Sequence, residues 1–217
     1  MFIGSKPNFI CVKHLLFLIS MVFAFQSNAQ SFEQFNKERT QIDKRLMIGL
    51  GSWANSNFIV SGIGWATVPA GEARYFHQMN VLWNTVNIGL AIPGYLKARK
   101  ANSSLSFSET IRIQHQTEKI FLINSGLDIG YMAGGLLLKS SAKTNVSKQH
   151  QFNGYGNSLL FQGGFLFLFD LTAYIIHNSH SKKSLDKLLN SVQFSSTGIG
   201  FQWNLNSNLF SSNKRQL

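Results

Sequence analysis

Four apolar stretches separated by short polar segments make up most of the chain after residue 45. Each is about as long as a helix that crosses a bilayer, which needs roughly 20 apolar residues at about 1.5 Å of rise per residue. The first stretch is the most polar, because several Asn and Ser residues interrupt it. The pattern predicts an all-α fold, a four-helix transmembrane bundle, with helices at residues 46–68, 75–96, 120–138 and 154–177.

The segments between and after these stretches are polar and differ in length. Residues 69–71 (Pro-Ala-Gly) predict a tight turn, residues 97–119 a longer hydrophilic connection, and residues 139–151 a basic one. After the fourth stretch, residues 181–189 predict a short amphipathic helix at a membrane surface. Residues 198–205 alternate with strand period, and we expect a short C-terminal hairpin because one such segment cannot build a membrane barrel.

Residues 1–29 have the three parts of a secretory signal peptide. Lys6 and Lys13 supply the positive segment, and residues 15–25 supply the apolar segment. Residues 27–29 (Ser-Asn-Ala) then provide the small side chains that precede a cleavage point. An uncleaved anchor helix is the alternative, but the apolar segment is short for a span. We therefore expect a leader that directs a multi-pass protein to the inner membrane of a bacterial envelope.

The predicted organisation leads to a conflict about orientation. Its segments are the signal peptide (1–29), a polar lead-in (30–45), the four-helix membrane domain (46–178) and a polar C-terminal tail (179–217). Cleavage puts residue 30 outside the cytoplasm, so that fourteen Lys and Arg residues lie outside and four inside. The positive-inside rule predicts the opposite bias. An inverted anchor with five spans, an override of the rule, or a peripheral or soluble periplasmic helical bundle would each resolve the conflict.

Composition favours a membrane protein and excludes several kinds of site. Charged residues make up 13 % of the 217 residues, about half the usual share, although the net charge is +11. The basic residues flank the apolar stretches and form no dense nucleic-acid-binding patch, so the expected partners are the lipid bilayer and its anionic headgroups, not nucleic acid. They include Arg45, Arg74, Lys97, Arg99, Lys100, Lys119 and Lys139. The single cysteine, Cys11, lies in the leader, which excludes disulfides, zinc–thiolate sites and cysteine nucleophiles from a mature chain.

Polar side chains inside the apolar stretches fall on single helix faces. In the second stretch one His and three Asn residues follow one another at steps of three, four and three residues. At 100° per residue they lie within about 80° of arc. Polar groups are costly in a bilayer and face the bundle interior, so we expect these and similar groups of the third and fourth stretches to converge. The candidate polar seam comprises His77, Asn80, Asn84, Asn87, Asn124, Asp128, Asp170 and His177.

Three roles are open for this seam. Its side chains can form interhelical hydrogen bonds that hold the bundle together, at about 0.6–2 kcal/mol each. They can instead line a functional polar pocket or a proton or ion path, because an Asp inside a membrane marks such sites. A metal site built from His77, His177, Asp128 and Asp170 is the third alternative, but no two of these are spaced like a known ligand pair. We expect no bound metal and no cofactor.

A row of small residues runs along the third stretch at Gly126, Gly130 and Gly134. Missing side chains let a second helix approach closely. We expect this helix-packing row to contact another helix of the same chain, with a dimer face as the alternative. On that expectation Gly130→Leu disrupts folding.

The chain contains no catalytic motif: no phosphate-binding glycine loop, no nucleophile elbow and no paired-histidine metal motif. The leader ending in Ala29-Gln30, the four stretches with internal Asn and Asp, and residues 198–203 (Gly-Ile-Gly-Phe-Gln-Trp) resemble a family of uncharacterised bacterial membrane proteins, a domain of unknown function. The resemblance implies no activity. We therefore expect a non-enzymatic membrane component, structural or partner-binding, with a small transporter or ion- or proton-conducting protein as the alternative.

Overall fold

Four long helices account for most of the computed structural model, which describes residues 9–185, 192–195 and 198–201, with side chains from residue 32 to 185. They are α1 (Phe9–Thr67), α2 (Glu72–Lys100), α3 (Phe107–Ser141) and α4 (Gln149–His180). A 3-10 turn (Val146–Lys148) precedes α4, and a π-helical turn (Ser181–Leu185) continues it. The predicted all-α architecture with four helices is confirmed.

The helices extend beyond the apolar stretches into the polar segments. The predicted connection at 97–119 is mostly helical: α2 continues to Lys100, and the loop covers only residues 101–106. At the start of α3, the Ser106 hydroxyl accepts a hydrogen bond from the Glu109 backbone N–H, and the Glu109 carboxylate accepts one from the Ser106 backbone N–H. This capping box satisfies donors at the helix start and places the helix boundary. The polar connection was therefore predicted too long.

The turn between α1 and α2 lies where the Pro-Ala-Gly segment predicts it. Gly71 has a φ of 157°, a backbone conformation that side-chain-bearing residues rarely adopt. By contrast, Pro93 lies inside α2, which runs on to Lys100. Helix α1 begins at Phe9 and continues without a break through residues 29 and 30, between which the leader would be cleaved. Leader cleavage remains a prediction, since the side chains of residues 1–31 lie outside the described part.

The helices run up and down in sequence order. Gly94 of α2 lies beside Met47 of α1, and Gly135 of α3 lies beside Gly156 of α4, so each of these pairs is antiparallel. Asn80 of α2 meets Ser158 of α4, which makes α2 and α4 parallel neighbours. α2 packs against α1 and α4, and α3 packs against α4. One end of the bundle, which we call the 101–106 end, therefore carries residues 32–45, the end of α2, the start of α3 and the end of α4; the opposite end is the 69–71 end.

A short antiparallel hairpin follows the helices. Its strands are β1 (Val192–Ser195) and β2 (Gly198–Phe201), with Val192 paired to Phe201. The remainder of the alternating segment, residues 202–205, lies outside the described residues. So do residues 186–189 of the predicted surface helix and the end of the polar tail.

Side chains are distributed in the reverse of a water-soluble bundle. The buried face of α2 consists of Asn80, Asn84, Asn87, Ala91 and Ala98 and contains no large apolar side chain. Five large apolar residues of the same helix are 42–60 % exposed; they are Leu82, Val86, Leu90, Ile92 and Leu96. In soluble proteins an extended exposed apolar surface marks an interaction with another hydrophobic phase or partner. The candidate sites are therefore the groups of polar side chains buried between the helices.

Candidate functional site

The Asn side chains of α2 lie on one buried face, as their spacing predicts. The Asn84 amide donates to the backbone oxygen of Asn80 at 2.8 Å, and the Asn87 amide donates to the side-chain oxygen of Asn84 at 3.4 Å. Asn80 accepts two hydrogen bonds at its side-chain oxygen, from the Ser158 hydroxyl at 2.7 Å and the Gln162 amide at 3.0 Å. This part of the seam joins α2 to α4 by satisfied hydrogen bonds.

Ser158 and Gln162 are not among the seam residues that the sequence predicts. Both are fully buried, and Gln162 also accepts a hydrogen bond from the Trp53 indole at 3.2 Å, which connects α1 to the same cluster. Their positions carry a detectable signal. Ser158 and Gln162 are four residues apart, a step that returns to the same side of a helix.

The structure brings the two carboxyl groups of the predicted seam together. Asp128 of α3 and Asp170 of α4 are buried and lie within hydrogen-bonding reach of each other. Ionised carboxylates accept hydrogen bonds and cannot donate them. Oδ2 of Asp128 is buried and has no hydrogen-bond partner among the described residues. Two buried carboxylates in contact repel, and a proton or a cation between them relieves that repulsion.

A cleft of about 340 Å³ contains this carboxyl pair. It lies between α2 and α3, with α1 and α4 behind it. Its polar lining consists of Asn87, Asn124, Tyr131 and the two carboxyl groups, whereas the rest is largely apolar. Trp83 and Tyr131 approach each other edge-to-face across it, with ring centroids 4.7 Å apart. Four of the eight predicted seam residues, namely Asn87, Asn124, Asp128 and Asp170, therefore line one cavity.

The two histidines of the seam lie elsewhere. His77 packs beside Gly64 of α1 near the 69–71 end. His177 lies near the 101–106 end, where its ring stacks on Phe121 at 5.6 Å. Because α2 and α4 are parallel and His77 lies level with the start of α4, the two histidines are about 30 Å apart along the bundle at 1.5 Å per residue. The metal site built from both histidines is therefore wrong, and the described side chains contain no other group of three metal-ligating residues.

His177 is part of a second polar cluster, which the sequence does not predict. Its ring Nε2 is 3.1 Å from Asp43 Oδ1, outside hydrogen-bond alignment, and its backbone oxygen accepts a hydrogen bond from Gln114 at 3.0 Å. Asn36 of α1 donates to Thr110 of α3 at 2.8 Å in the same region. Apart from His177, these residues lie in the predicted polar lead-in and the predicted connection, where polar side chains are expected to contact water. Their burial leaves no signal in the sequence, because buried and exposed positions in these segments are both polar and hydrophobic periodicity does not separate them.

Two charged residues of α1 border this cluster. Arg39 is buried, and desolvation holds the pKa of its guanidinium below the usual value while the neighbouring Asp43 acts in the opposite direction. Glu38 is exposed, and hydrogen bonds from Gln34 and His180 hold the pKa of its carboxyl below the usual value. The His180 ring lies 3.0 Å from this carboxylate and stacks on Phe35. The contact attaches the end of α4 to α1.

At the 69–71 end a chain of polar contacts joins three helices. The Lys139 ammonium donates to the side-chain oxygen of Asn157 at 2.5 Å, and the Asn157 amide donates to Glu72 at 2.6 Å. The Tyr155 hydroxyl donates to Gln78 at 2.8 Å. These contacts hold the starts of α2 and α4 against the end of α3.

The family match covers most of this arrangement. Residues 49–171, more than half of the chain, match the family of unknown function DUF6992. The chain belongs to this family. The resemblance to an uncharacterised domain of unknown function is thereby confirmed. No curated protein and no solved structure matches the chain. The DUF6992 region contains the Asn face of α2 and the carboxyl pair, and it ends before His177.

Within the same DUF6992 region, close helix approach depends on glycines other than the predicted row. A Cβ atom built at Gly126, Gly130 or Gly134 meets no described atom within 4 Å, so this row faces away from the other described helices. A Cβ built at Gly156 would instead lie 2.6 Å from the backbone oxygen of Gly135, and one at Gly135 would lie 2.8 Å from that of Gly156. The backbones of α3 and α4 therefore approach each other closely at this pair.

Proposed function

We propose that this DUF6992 protein is an integral membrane protein of the bacterial envelope whose four helices enclose a polar interior. The inverted distribution of side chains carries the proposal. Burying polar groups inside the bundle while exposing large apolar side chains is unfavourable in water, since exposed apolar area costs about 25 cal/mol per Å². In a bilayer the same arrangement is favourable, because lipid solvates the exterior and the polar groups bond to one another inside.

The positions of the charges support this location. Residues 46–68, 75–96, 120–138 and 149–180 contain no Lys, Arg or Glu, and their only Asp residues are Asp128 and Asp170. Lys and Arg are concentrated at the two ends of the described bundle, where cations meet anionic headgroups. Those at the 101–106 end are Lys37, Arg39, Lys44, Arg45, Lys97, Arg99, Lys100, Arg112, Lys119, Lys182 and Lys183; those at the 69–71 end are Arg74, Lys139, Lys143 and Lys148.

Mean hydropathy alone selects two of the helices as candidate spans. Within the described residues, α3 and the segment Val146–Leu185 are long and apolar enough to cross a membrane. The lower hydropathy of α2 follows from its buried face, since the three Asn side chains count against the average but do not face outward. A helix with a polar inner face and an apolar outer face is compatible with a bilayer because only the outer face contacts lipid.

We expect membranes that carry the full-length, C-terminally tagged protein to retain it in the pellet after an alkaline carbonate wash. Retention follows if the exposed apolar side chains of the bundle contact lipid acyl chains. A peripheral protein of the same membranes, released by the wash, is the control. Release of the tagged protein into the supernatant would contradict integration and would favour the peripheral or soluble periplasmic bundle.

Orientation is testable on the same membranes. Ser104 lies in the 101–106 loop and Ser147 in the turn before α4, and both are exposed at opposite ends of the bundle. Single cysteines at these positions, in a Cys11→Ser background, should react with an impermeant maleimide from opposite sides. The positive-inside rule places the 101–106 end in the cytoplasm, whereas a cleaved leader places it outside. The side that labels Ser104→Cys decides between them.

For the role in the membrane, we propose a non-enzymatic structural or partner-binding component. The hydrogen bonds that join Asn80 to Ser158 and Gln162 favour this role, because they satisfy buried polar groups in the way that stabilising interhelical contacts do. On this proposal the polar interior holds the bundle together, and the exposed apolar faces of the helices are available to lipid or to a membrane partner.

A second candidate, a small transporter or an ion- or proton-conducting protein, is favoured by one observation. The Asp128–Asp170 pair has no cationic partner among the described residues that line its cleft. On this candidate, we expect liposomes with the purified protein to move protons or alkali cations under a diffusion potential, and Asp128→Asn or Asp170→Asn to lower that flux at least ten-fold. Asn keeps the side-chain volume, so folding is preserved. Absence of flux from wild-type liposomes would reject conduction.

A further inference from the structure

We propose that the cleft between α2 and α3 binds an amphiphilic amine, with its ammonium group on the Asp128–Asp170 pair and its apolar body between the two helices. The inference rests on the membrane location proposed above. It specifies a ligand class for the second candidate function, a small transporter or conducting protein. Four properties of the cleft support it: its charge, an unpartnered buried carboxyl oxygen, its apolar walls and its lateral opening.

The charge of the cleft is negative and uncompensated. No Lys, Arg or His is among the described residues that line it, although the chain as a whole carries a net charge of +11. Asp128 is 2 % exposed, and its Oδ2 has no donor among the described residues. An ammonium group supplies three N–H donors to acceptor-only carboxylates. Because a buried carboxylate without a partner is costly, a cationic group at this position gains both charge pairing and hydrogen bonds.

The walls of the cleft select an apolar body. Leu50, Phe121 and Leu166 form buried surface close to the carboxyl pair. Further out, Val86 and Leu90 of α2 face Ile120 and Leu127 of α3, and each of these four side chains is more than half exposed. A volume of about 340 Å³ lies within the range of small-molecule sites. A small hydrated cation would leave this apolar surface uncovered, whereas an alkyl chain buries it.

The cleft opens sideways between α2 and α3, through the rim of exposed apolar residues. In a bilayer this rim faces acyl chains, so a ligand that has partitioned into the membrane enters along the bilayer plane. The carboxyl pair lies along the middle part of α3 and α4, with Asp128 about 20 Å from the nearer end of its helix. Trp83 lines the same cleft, and its indole N–H has no acceptor among the described residues.

Trp83 provides a local probe of occupancy. Full-length protein in phospholipid nanodiscs is titrated with bromodecylamine, whose bromine quenches nearby indole fluorescence, and in parallel with bromodecanol. The quenching lost in Trp83→Phe is taken as the signal from the cleft, because the other tryptophans remain. We expect saturable quenching by the amine at concentrations at least ten-fold below those needed with the alcohol. Unbrominated decylamine should reverse it.

The carboxyl groups are tested by Asp128→Asn, Asp170→Asn and the double variant, with far-UV circular dichroism to verify folding. Each single substitution should raise the half-saturating amine concentration at least ten-fold and leave quenching by the alcohol unchanged. Equal quenching by amine and alcohol, or folded variants that bind the amine as wild type does, would overturn the proposal. Displacement of the amine by millimolar calcium would also overturn it in favour of a small-cation site.

The carbonate wash separates this inference from the membrane proposal. A protein that stays in the pellet but shows no selective quenching by the amine leaves the membrane proposal intact and rejects the ligand. A protein that is released by carbonate and still binds the amine through both Asp residues retains the ligand site and rejects the membrane location.

Discussion

Replacing Gly156 by Ala should destabilise the bundle by about 1–3 kcal/mol, the usual cost of inserting a methyl group into a closely packed contact. The new Cβ would lie 2.6 Å from the backbone oxygen of Gly135 and equally close to Cγ of Lys139. The Lys side chain can move, but the backbone oxygen moves only if α3 and α4 separate. The measurement is the midpoint of reversible unfolding of the purified protein in mixed detergent micelles.

Gly130→Ala is the matched control for this prediction. Both residues lie inside helices, so both substitutions gain about 0.5–1 kcal/mol of helix propensity. A Cβ at Gly130 meets no described atom within 4 Å, so that gain is not opposed and the variant should be as stable as wild type or slightly more stable. This replaces the expectation from the sequence that a larger side chain at Gly130 disrupts folding. Equal destabilisation by both substitutions would contradict the assigned contact between α3 and α4.

Replacing Asn80 by Ala should cost about 2–4 kcal/mol of stability. The side-chain oxygen of Asn80 accepts hydrogen bonds from Ser158 and Gln162, and all three residues are buried. Its removal leaves two donors without their acceptor, and an unsatisfied buried group costs about 1–3 kcal/mol. The free energy of unfolding of Asn80→Ala, Ser158→Ala and the double variant would give the coupling between the two residues directly.

Asn57→Ala is the comparison for Asn80→Ala. The Asn57 amide donates to the backbone oxygen of Trp53 within α1 and makes no described side-chain hydrogen bond to another helix. Loss of this local bond should cost about 0.5–1 kcal/mol. If Asn80→Ala is no more harmful than Asn57→Ala, or if the double-variant cycle shows no coupling, the hydrogen bonds between α2 and α4 do not stabilise the bundle.

Periodicity was sufficient to predict the four helices and the faces on which their polar residues lie. Asn80, Asn84 and Asn87 share a buried face because steps of four and three residues return to one side of any α-helix. The turn at Gly71 was predictable because Pro and Gly interrupt helical structure by their own backbone preferences. Membership in a family of unknown function agrees with the resemblance and adds no activity.

The polar ends of the helices were less predictable. Residues 32–45 and 107–119 read as solvated connecting segments, yet Asn36, Thr110 and Gln114 are buried between α1, α3 and α4. Hydrophobic periodicity is weak where buried positions are themselves polar. Burial in these two segments depends on which helices pack next to each other. The amphipathic pattern of one helix does not show which helices are its neighbours.

The sequence by itself determined the number of helices, their polar faces and the placement of charge at their ends, because these follow from local backbone geometry and the 3.6-residue repeat. Only the tertiary structure decided which faces meet. It brought Asp128 and Asp170 together in one cleft, placed His77 and His177 at opposite ends, and assigned the close approach to Gly135 and Gly156 instead of the Gly130 row. The reason is physical: the rotation and order of packed helices depend on contacts between residues distant in the chain, and these contacts leave no periodic signal in either helix alone.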